Sequence, residues 1–225
     1  MSNQFTYKDR EHAGKVLAQF LEQRNILNPV ILALPRGGVP VADLIAQKLH
    51  VPLDVLIVRK IGAPFNPEYG IGAMSEDLDP LFNAGELLPF EDLEEEVKEI
   101  VEAEKKELSR RIHLYRGERS LPEIKNRTVI LVDDGLATGV SAAAAGRFLK
   151  KRGAQKIYLA VPVGPHHPSK LLMDNIDEII CPYQPINLTA IGLWYEEFNQ
   201  VSDAEVMTIL SHYHPETKRE LFYEP

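Results

Sequence analysis

One cysteine and one tryptophan occur in 225 residues. The single thiol, Cys181, cannot close an internal disulfide, and it lacks the companions of a zinc site. No apolar run reaches the roughly 18 residues that a membrane helix needs. The opening stretch Met1 to Glu11 is polar and has no apolar signal core. Basic residues are in deficit: 25 Lys and Arg against 33 Asp and Glu give a net charge of −8. Binding to a nucleic-acid backbone relies on clustered cations, so this balance argues against it. A local basic pocket for a small phosphorylated ligand remains compatible. GxGxxG after a strand and GxxxxGK[ST] are both missing, as are internal repeats and low-complexity tracts. The expectation is a cytoplasmic protein with no membrane and no nucleic-acid partner.

What is present describes an α/β protein. Hydrophobic residues make up 44% and charged residues 26%, ordinary for a globular chain. At this length about 70% of the unfolded surface becomes buried. Ala13, Val16, Leu17, Phe20 and Leu21 recur at helical spacing within Tyr7–Asn25. Val30–Leu34, Val51–Val58, Thr128–Val132, Lys156–Val163 and Glu178–Cys181 read as buried strands. Helices are expected at Val39–Leu49, Phe90–Tyr115 and Val140–Arg152. The Phe90–Tyr115 segment starts acidic and ends basic, which complements a helix dipole, and Gly117 suits its C-cap. Arg59–Gly72, rich in Gly and Pro, reads as a long lid-like loop, with a short strand at Ile71–Met74. The expected architecture is a mainly parallel central sheet flanked by helices, in one domain over residues 1–225. A helical insertion is expected at 82–125 and a C-terminal hood at 182–225.

Ligands in open α/β sheets bind at the carboxyl ends of strands. Two such ends carry unusual residues. One is Leu34-Pro35-Arg36-Gly37-Gly38. The other is Val132-Asp133-Asp134-Gly135-Leu136-Ala137-Thr138-Gly139. Two adjacent carboxylates at the end of a buried strand are costly unless partnered. The turn after them opens a helix, where successive amides form an anion site and Thr138 and Ser141 add hydroxyls. A phosphate-accepting loop beside two acids suits a sugar phosphate, with the acids taking hydroxyls or a bound Mg²⁺. Each feature also has a plainer reading. The acid pair could cap the helix, Arg36-Gly37-Gly38 could be a tight turn, and Arg59 and Lys60 a solvated strand end. His166-His167 and His212/His214 lack companions at ligand spacing and read as surface histidines. Gly139-Val140-Ser141 is a loose cousin of a nucleophile elbow, but Ser141 falls inside the helix rather than at the turn.

The segment VILVDDGLATGVS resembles the phosphoribosyl-pyrophosphate motif of the type I phosphoribosyltransferases: an apolar strand, two acids, a short variable stretch, then Thr-Gly. ALPRGG falls where that family has its pyrophosphate loop, and Arg59–Gly72 where it has its flexible catalytic loop. The resemblance covers about Leu27–Phe198. It implies transfer of ribose 5-phosphate from phosphoribosyl pyrophosphate to a nitrogen base, with Mg²⁺, and a homodimer. On this basis Gly135, Leu136, Ala137, Thr138, Gly139 and Ser141 hold the 5-phosphate. Asp133 and Asp134 hold the ribose hydroxyls or Mg²⁺. Arg36, Gly37 and Gly38 take the pyrophosphate, and Arg59 and Lys60 add charge on loop closure. The family often has a cis non-proline bond in its pyrophosphate loop, which here is Pro35–Arg36. Members that use 6-oxopurines carry an acid where this chain has Ala137, which argues against a hypoxanthine or guanine substrate. Leu193, Trp194 and Tyr195 are the expected base contacts in the hood, with core or subunit interface as the alternative for Trp194 and Tyr195. A non-catalytic regulator that binds phosphoribosyl pyrophosphate or a nucleotide on the same fold is the alternative function.

Overall fold

The computed structural model describes residues 5–87, 90 and 93–215. Five strands form the parallel sheet: β1 (Val30–Ala33), β2 (Leu53–Val55), β6 (Thr128–Val132), β7 (Lys156–Ala160) and β8 (Glu178–Ile180), ordered β2-β1-β6-β7-β8. Period-2 alternation decides which side chains face which layer. Ile31, Ala33, Ile130 and Val132 face one layer, built from helices α1 (Arg10–Glu22), α2 (Gly38–Leu49) and α7 (Asp203–Tyr213). Leu32, Leu34, Val129 and Leu131 face the other, with Ala143, Phe148 and Leu149 of α5 (Val140–Lys151). Both faces are covered, and this is why these strands read as continuous apolar runs.

Caps fix the helix ends. Asp9 accepts from the His12 amide at 2.7 Å and starts α1 at Arg10, three residues after the expected Tyr7. Ser202 and Glu205 form a capping box at the start of α7. Gly117, with φ of 55°, closes α4 (Glu94–Arg116), and its amide donates to the His113 carbonyl at 2.7 Å.

Two expectations need correction. The second strand stops at Val55 instead of running to Val58. The Ile57 amide donates to Glu76 Oε1 at 2.9 Å, outside the sheet, although Leu56 and Ile57 stay buried. The expected loop Arg59–Gly72 is an antiparallel hairpin of β3 (Arg59–Ala63) and β4 (Asn66–Met74), extended by β5 (Pro80–Phe82). Its glycines mark close approach, since a Cβ on Gly62 would lie 2.4 Å from the Pro67 carbonyl oxygen. Ile61, Ala63, Ile71 and Ala73 are buried.

Two short helices, α3 (Ala84–Leu87) and α6 (Lys170–Met173), precede α4 and β8 respectively. α4 lies on β3 and reaches α7. Val97, Val101, Leu108 and Tyr115 join the same apolar cluster as Ile61 and Val206. Its end closes the exposed edge of β2. Arg116, itself buried, donates to the Val55 carbonyl at 3.1 Å and pairs with Glu76. His214 Nε2 meets the Leu53 carbonyl at 2.9 Å. Side chains thus occupy carbonyls that an added strand would otherwise use. The expected hood begins at residue 182, and its last ten residues, like residues 88, 89, 91 and 92 of the expected insertion, lie outside the described residues. Among the described residues no helix is long and apolar enough to cross a membrane.

Candidate active site

β1 and β6 are neighbours in the sheet, yet each connects to a strand on its opposite side. Their carboxyl ends therefore open a crevice at a topological switch point. Both unusual loops emerge there side by side. The Leu34 amide donates to the Val132 carbonyl at 2.8 Å. The peptide bond between Pro35 and Arg36 is cis, as the resemblance implies. Gly37 and Gly38 follow at contact distance from the second loop. A Cβ on Gly38 would lie 2.5 Å from the Val132 carbonyl oxygen.

Asp133 and Asp134 sit at the centre of this crevice. Burial, followed by the neighbouring Asp134 carboxylate, pushes the Asp133 carboxyl well above the usual carboxylate range. Its Oδ1 accepts from the Asp134 amide at 2.9 Å. Asp134 accepts from Arg10 Nε at 2.8 Å, and its backbone carbonyl accepts from the Tyr195 hydroxyl at 2.6 Å. The turn then runs through Gly135, Leu136, Ala137 and Thr138 to Gly139. The φ of Gly139, 79°, is a left-handed value that strains any other residue. The Leu136 amide is committed to the Val163 carbonyl at 2.8 Å. The amides of Gly135, Ala137, Thr138 and Gly139 donate to no group among the described residues. Ala137 and Thr138 are exposed, and Ser141 lies half-buried in the first turn of α5. Open amides at the start of a twelve-residue helix can receive a phosphate dianion.

Arg36 points away from the acids, with Nη1 3.4 Å from Asp203 Oδ1 in the first turn of α7. Asp203 in turn accepts from the hydroxyl of the fully buried Tyr115 at 2.5 Å. That hydrogen bond, aided by Arg36, holds the Asp203 carboxyl below the usual range. Arg59 Nε donates to Glu104 of α4 at 2.6 Å. Lys60 runs along β4, where a Cβ at Gly70 would lie 3.1 Å from its Cδ and 4.0 Å from Val140 Cγ1. The hairpin therefore stands beside the start of α5, with Arg59 turned to α4.

In the segment expected to form the hood, the 3-10 turn Ile191–Trp194 presses on the Gly135–Gly139 turn. A Cβ on Gly135 would lie 2.3 Å from Ile191 Cγ2. Leu193 is exposed. Trp194 and Tyr195 are buried with Tyr7, Ala13 and Val163. Burial, and then Asp134, raise the Tyr195 phenol. Arg10, Tyr115 and Asp203 were not expected at the site. Their partners are remote in sequence, so no local signal marks them.

Two carboxylates do not make a closed metal cage, and no cluster of three or more His, Cys, Asp or Glu suited to a metal occurs among the described residues. Hard oxygen donors in this small number suit Mg²⁺, which keeps waters and substrate oxygens in its shell.

A parallel sheet whose switch point holds a glycine-lined turn, an acid pair and a turn with open amides defines a protein of the type I phosphoribosyltransferase fold. The chain belongs to the phosphoribosyl transferase domain family, which it matches over residues 6–193. It is 40% identical over 209 residues to two provisionally named phosphoribosyl transferases of Mycobacterium tuberculosis, MT0597 and Rv0571c. The match takes in 92% of this chain and 47% of each relative, so the chain spans about half the length of these curated relatives. The crystal structure of TT1426 from Thermus thermophilus is 34% identical, with a TM-score of 0.74, covering 93% of this chain and 99% of that one.

Proposed function

We propose that the protein transfers ribose 5-phosphate from phosphoribosyl pyrophosphate to a nitrogen base and releases pyrophosphate. The observation that carries this reading is the meeting of the loops after β1 and β6. An acid pair and open amides meet there in one crevice, with Arg36 on the adjoining loop paired to Asp203. The amides around Thr138, with its hydroxyl and that of Ser141, receive the 5-phosphate. Asp133 and Asp134 accept the ribose hydroxyls. The Gly37-Gly38 turn, and Arg36 once it leaves Asp203, take the pyrophosphate.

Such a reaction passes through a positively charged ribosyl centre, so the protein's work is positioning and charge stabilisation. Mg²⁺ held by Asp133 and Asp134 would supply Lewis-acid stabilisation of the departing pyrophosphate. Arg59 and Lys60 on the hairpin add positive charge once Arg59 leaves Glu104. The place for the base is the hood at the exposed Leu193, with Trp194 and Tyr195 taken up in the core cluster beside Tyr7, and Ala137 leaves no carboxylate at the position where 6-oxopurine-type members have one. We expect a dimer and a cytoplasmic setting.

The test is pyrophosphate release from phosphoribosyl pyrophosphate and Mg²⁺ across a panel of purines and pyrimidines. Release that depends on one base supports the reading. Tight binding without turnover on any base would assign the protein to the regulatory class instead.

A further inference from the structure

A carboxylate that must meet a ribose hydroxyl needs a fixed orientation. Asp134 lies beside a second carboxylate that repels it. Arg10, in the first turn of α1, meets both demands. Its Nε donates to Asp134 Oδ2 at 2.8 Å, and its Nη1 donates to the Asn199 carbonyl at 2.7 Å. The guanidinium carbon stands 3.9 Å from the centroid of the Phe198 ring. With its side chain only 12% exposed, the planar fork is fixed at three points. The main chain of Asp134 is fixed separately, through the Tyr195 hydroxyl. No ion pair reaches Asp133 from any described residue.

We propose that Arg10 is a positioning residue for Asp134. It immobilises the carboxylate through Oδ2 and leaves Oδ1, together with the Asp133 carboxylate, to meet the ribose hydroxyls. Because the same guanidinium rests on Phe198 and Asn199, the orientation of Asp134 is tied to the hood. The ribose side and the hood are thereby one mechanical unit. This rests on phosphoribosyl pyrophosphate being the ligand.

Calorimetry with phosphoribosyl pyrophosphate and Mg²⁺ tests it on the wild type, Arg10→Gln, Arg10→Lys, Asp134→Asn and the Arg10→Gln/Asp134→Asn pair. Arg10→Gln is expected to weaken binding about tenfold or more. In the Asp134→Asn background the same change is expected to cost less than about twofold, because its route of action has gone. Arg10→Lys keeps the charge but not the three-point fork, and is expected to recover part of the loss, binding about threefold better than Arg10→Gln. Inorganic phosphate, which probes only the Gly135–Gly139 loop, is expected to bind wild type and Arg10→Gln alike.

Unchanged affinity in Arg10→Gln, an equal loss in both backgrounds, or a parallel loss of phosphate binding would overturn the proposal. Where Asp134→Asn binds too weakly to titrate, Arg10→Lys decides, and affinity no better than that of Arg10→Gln counts against it. A wild type that takes up no phosphoribosyl pyrophosphate at all refutes the ligand reading itself, and the proposal falls with it.

Discussion

A Cβ placed on Gly37 would lie 2.0 Å from Asp134 Oδ2 and 2.5 Å from its Cγ. The two loops of the crevice touch through the absence of a side chain. Asp134 cannot retreat, because Arg10 and Tyr195 hold it. We expect Gly37→Ala to force the loops apart, at a cost of about 1–3 kcal/mol in thermal unfolding. Affinity for phosphoribosyl pyrophosphate should fall more than tenfold in calorimetry. An alanine variant with wild-type affinity would show that the contact is not needed.

The acid pair gives a second test. Asp133→Asn with Asp134→Asn removes both anionic partners of the ribose hydroxyls and Mg²⁺. Binding of phosphoribosyl pyrophosphate should weaken by two orders of magnitude or so, at roughly 1–3 kcal/mol per lost charged contact. Inorganic phosphate should still bind the Gly135–Gly139 loop. Loss of both ligands would mean that the loop itself had moved.

Asp203 sets a pH dependence. Its folded carboxyl is held below the usual range, first by the Tyr115 hydroxyl and further by Arg36. A depressed acid stabilises the folded state above its unfolded value, about 3.9, and that stability is lost as pH falls through the folded value. Asp203→Asn should therefore lower the melting temperature at pH 7, with the gap closing toward pH 3. Tyr115→Phe should cost about 2 kcal/mol at pH 7, the scale of a hydrogen bond to a charged group. A gap that stays constant from pH 7 to pH 3 would show that the effect is not one of charge.

The hairpin should be ordered before any ligand arrives. Ile61, Ile71, Ala73 and Met74 are buried on paired strands. Hydrogen exchange of the ligand-free protein should show slow amides along β3 and β4 and a fast one at Phe65, which is 81% exposed at the turn. Uniformly fast exchange over Arg59–Gly72 would restore the picture of an open loop.

The central strands were legible because burial on both faces leaves an uninterrupted apolar run, as in Val30–Ala33 and Thr128–Val132. The acid pair stood out because charge at the end of such a run is expensive. Of the hairpin only the end of β4, Ile71–Met74, was legible. Gly62, Gly70 and Gly72 serve close strand contact there, but in sequence they are indistinguishable from loop glycines. Arg10 and Asp203 escaped notice for another reason. Their side chains acquire meaning only from partners 124 and 167 positions away.

Those separations also set an order of events during synthesis. Contacts that span most of the chain cannot form until both ends exist, and distant pairings close slowly. The first helix leaves the ribosome early, with its arginine waiting for an acid made 124 residues later. The aspartate that steadies Arg36 arrives 167 residues after it. A growing chain can complete much of its sheet well before its crevice is braced. On refolding, helical signal should therefore return ahead of ligand capture.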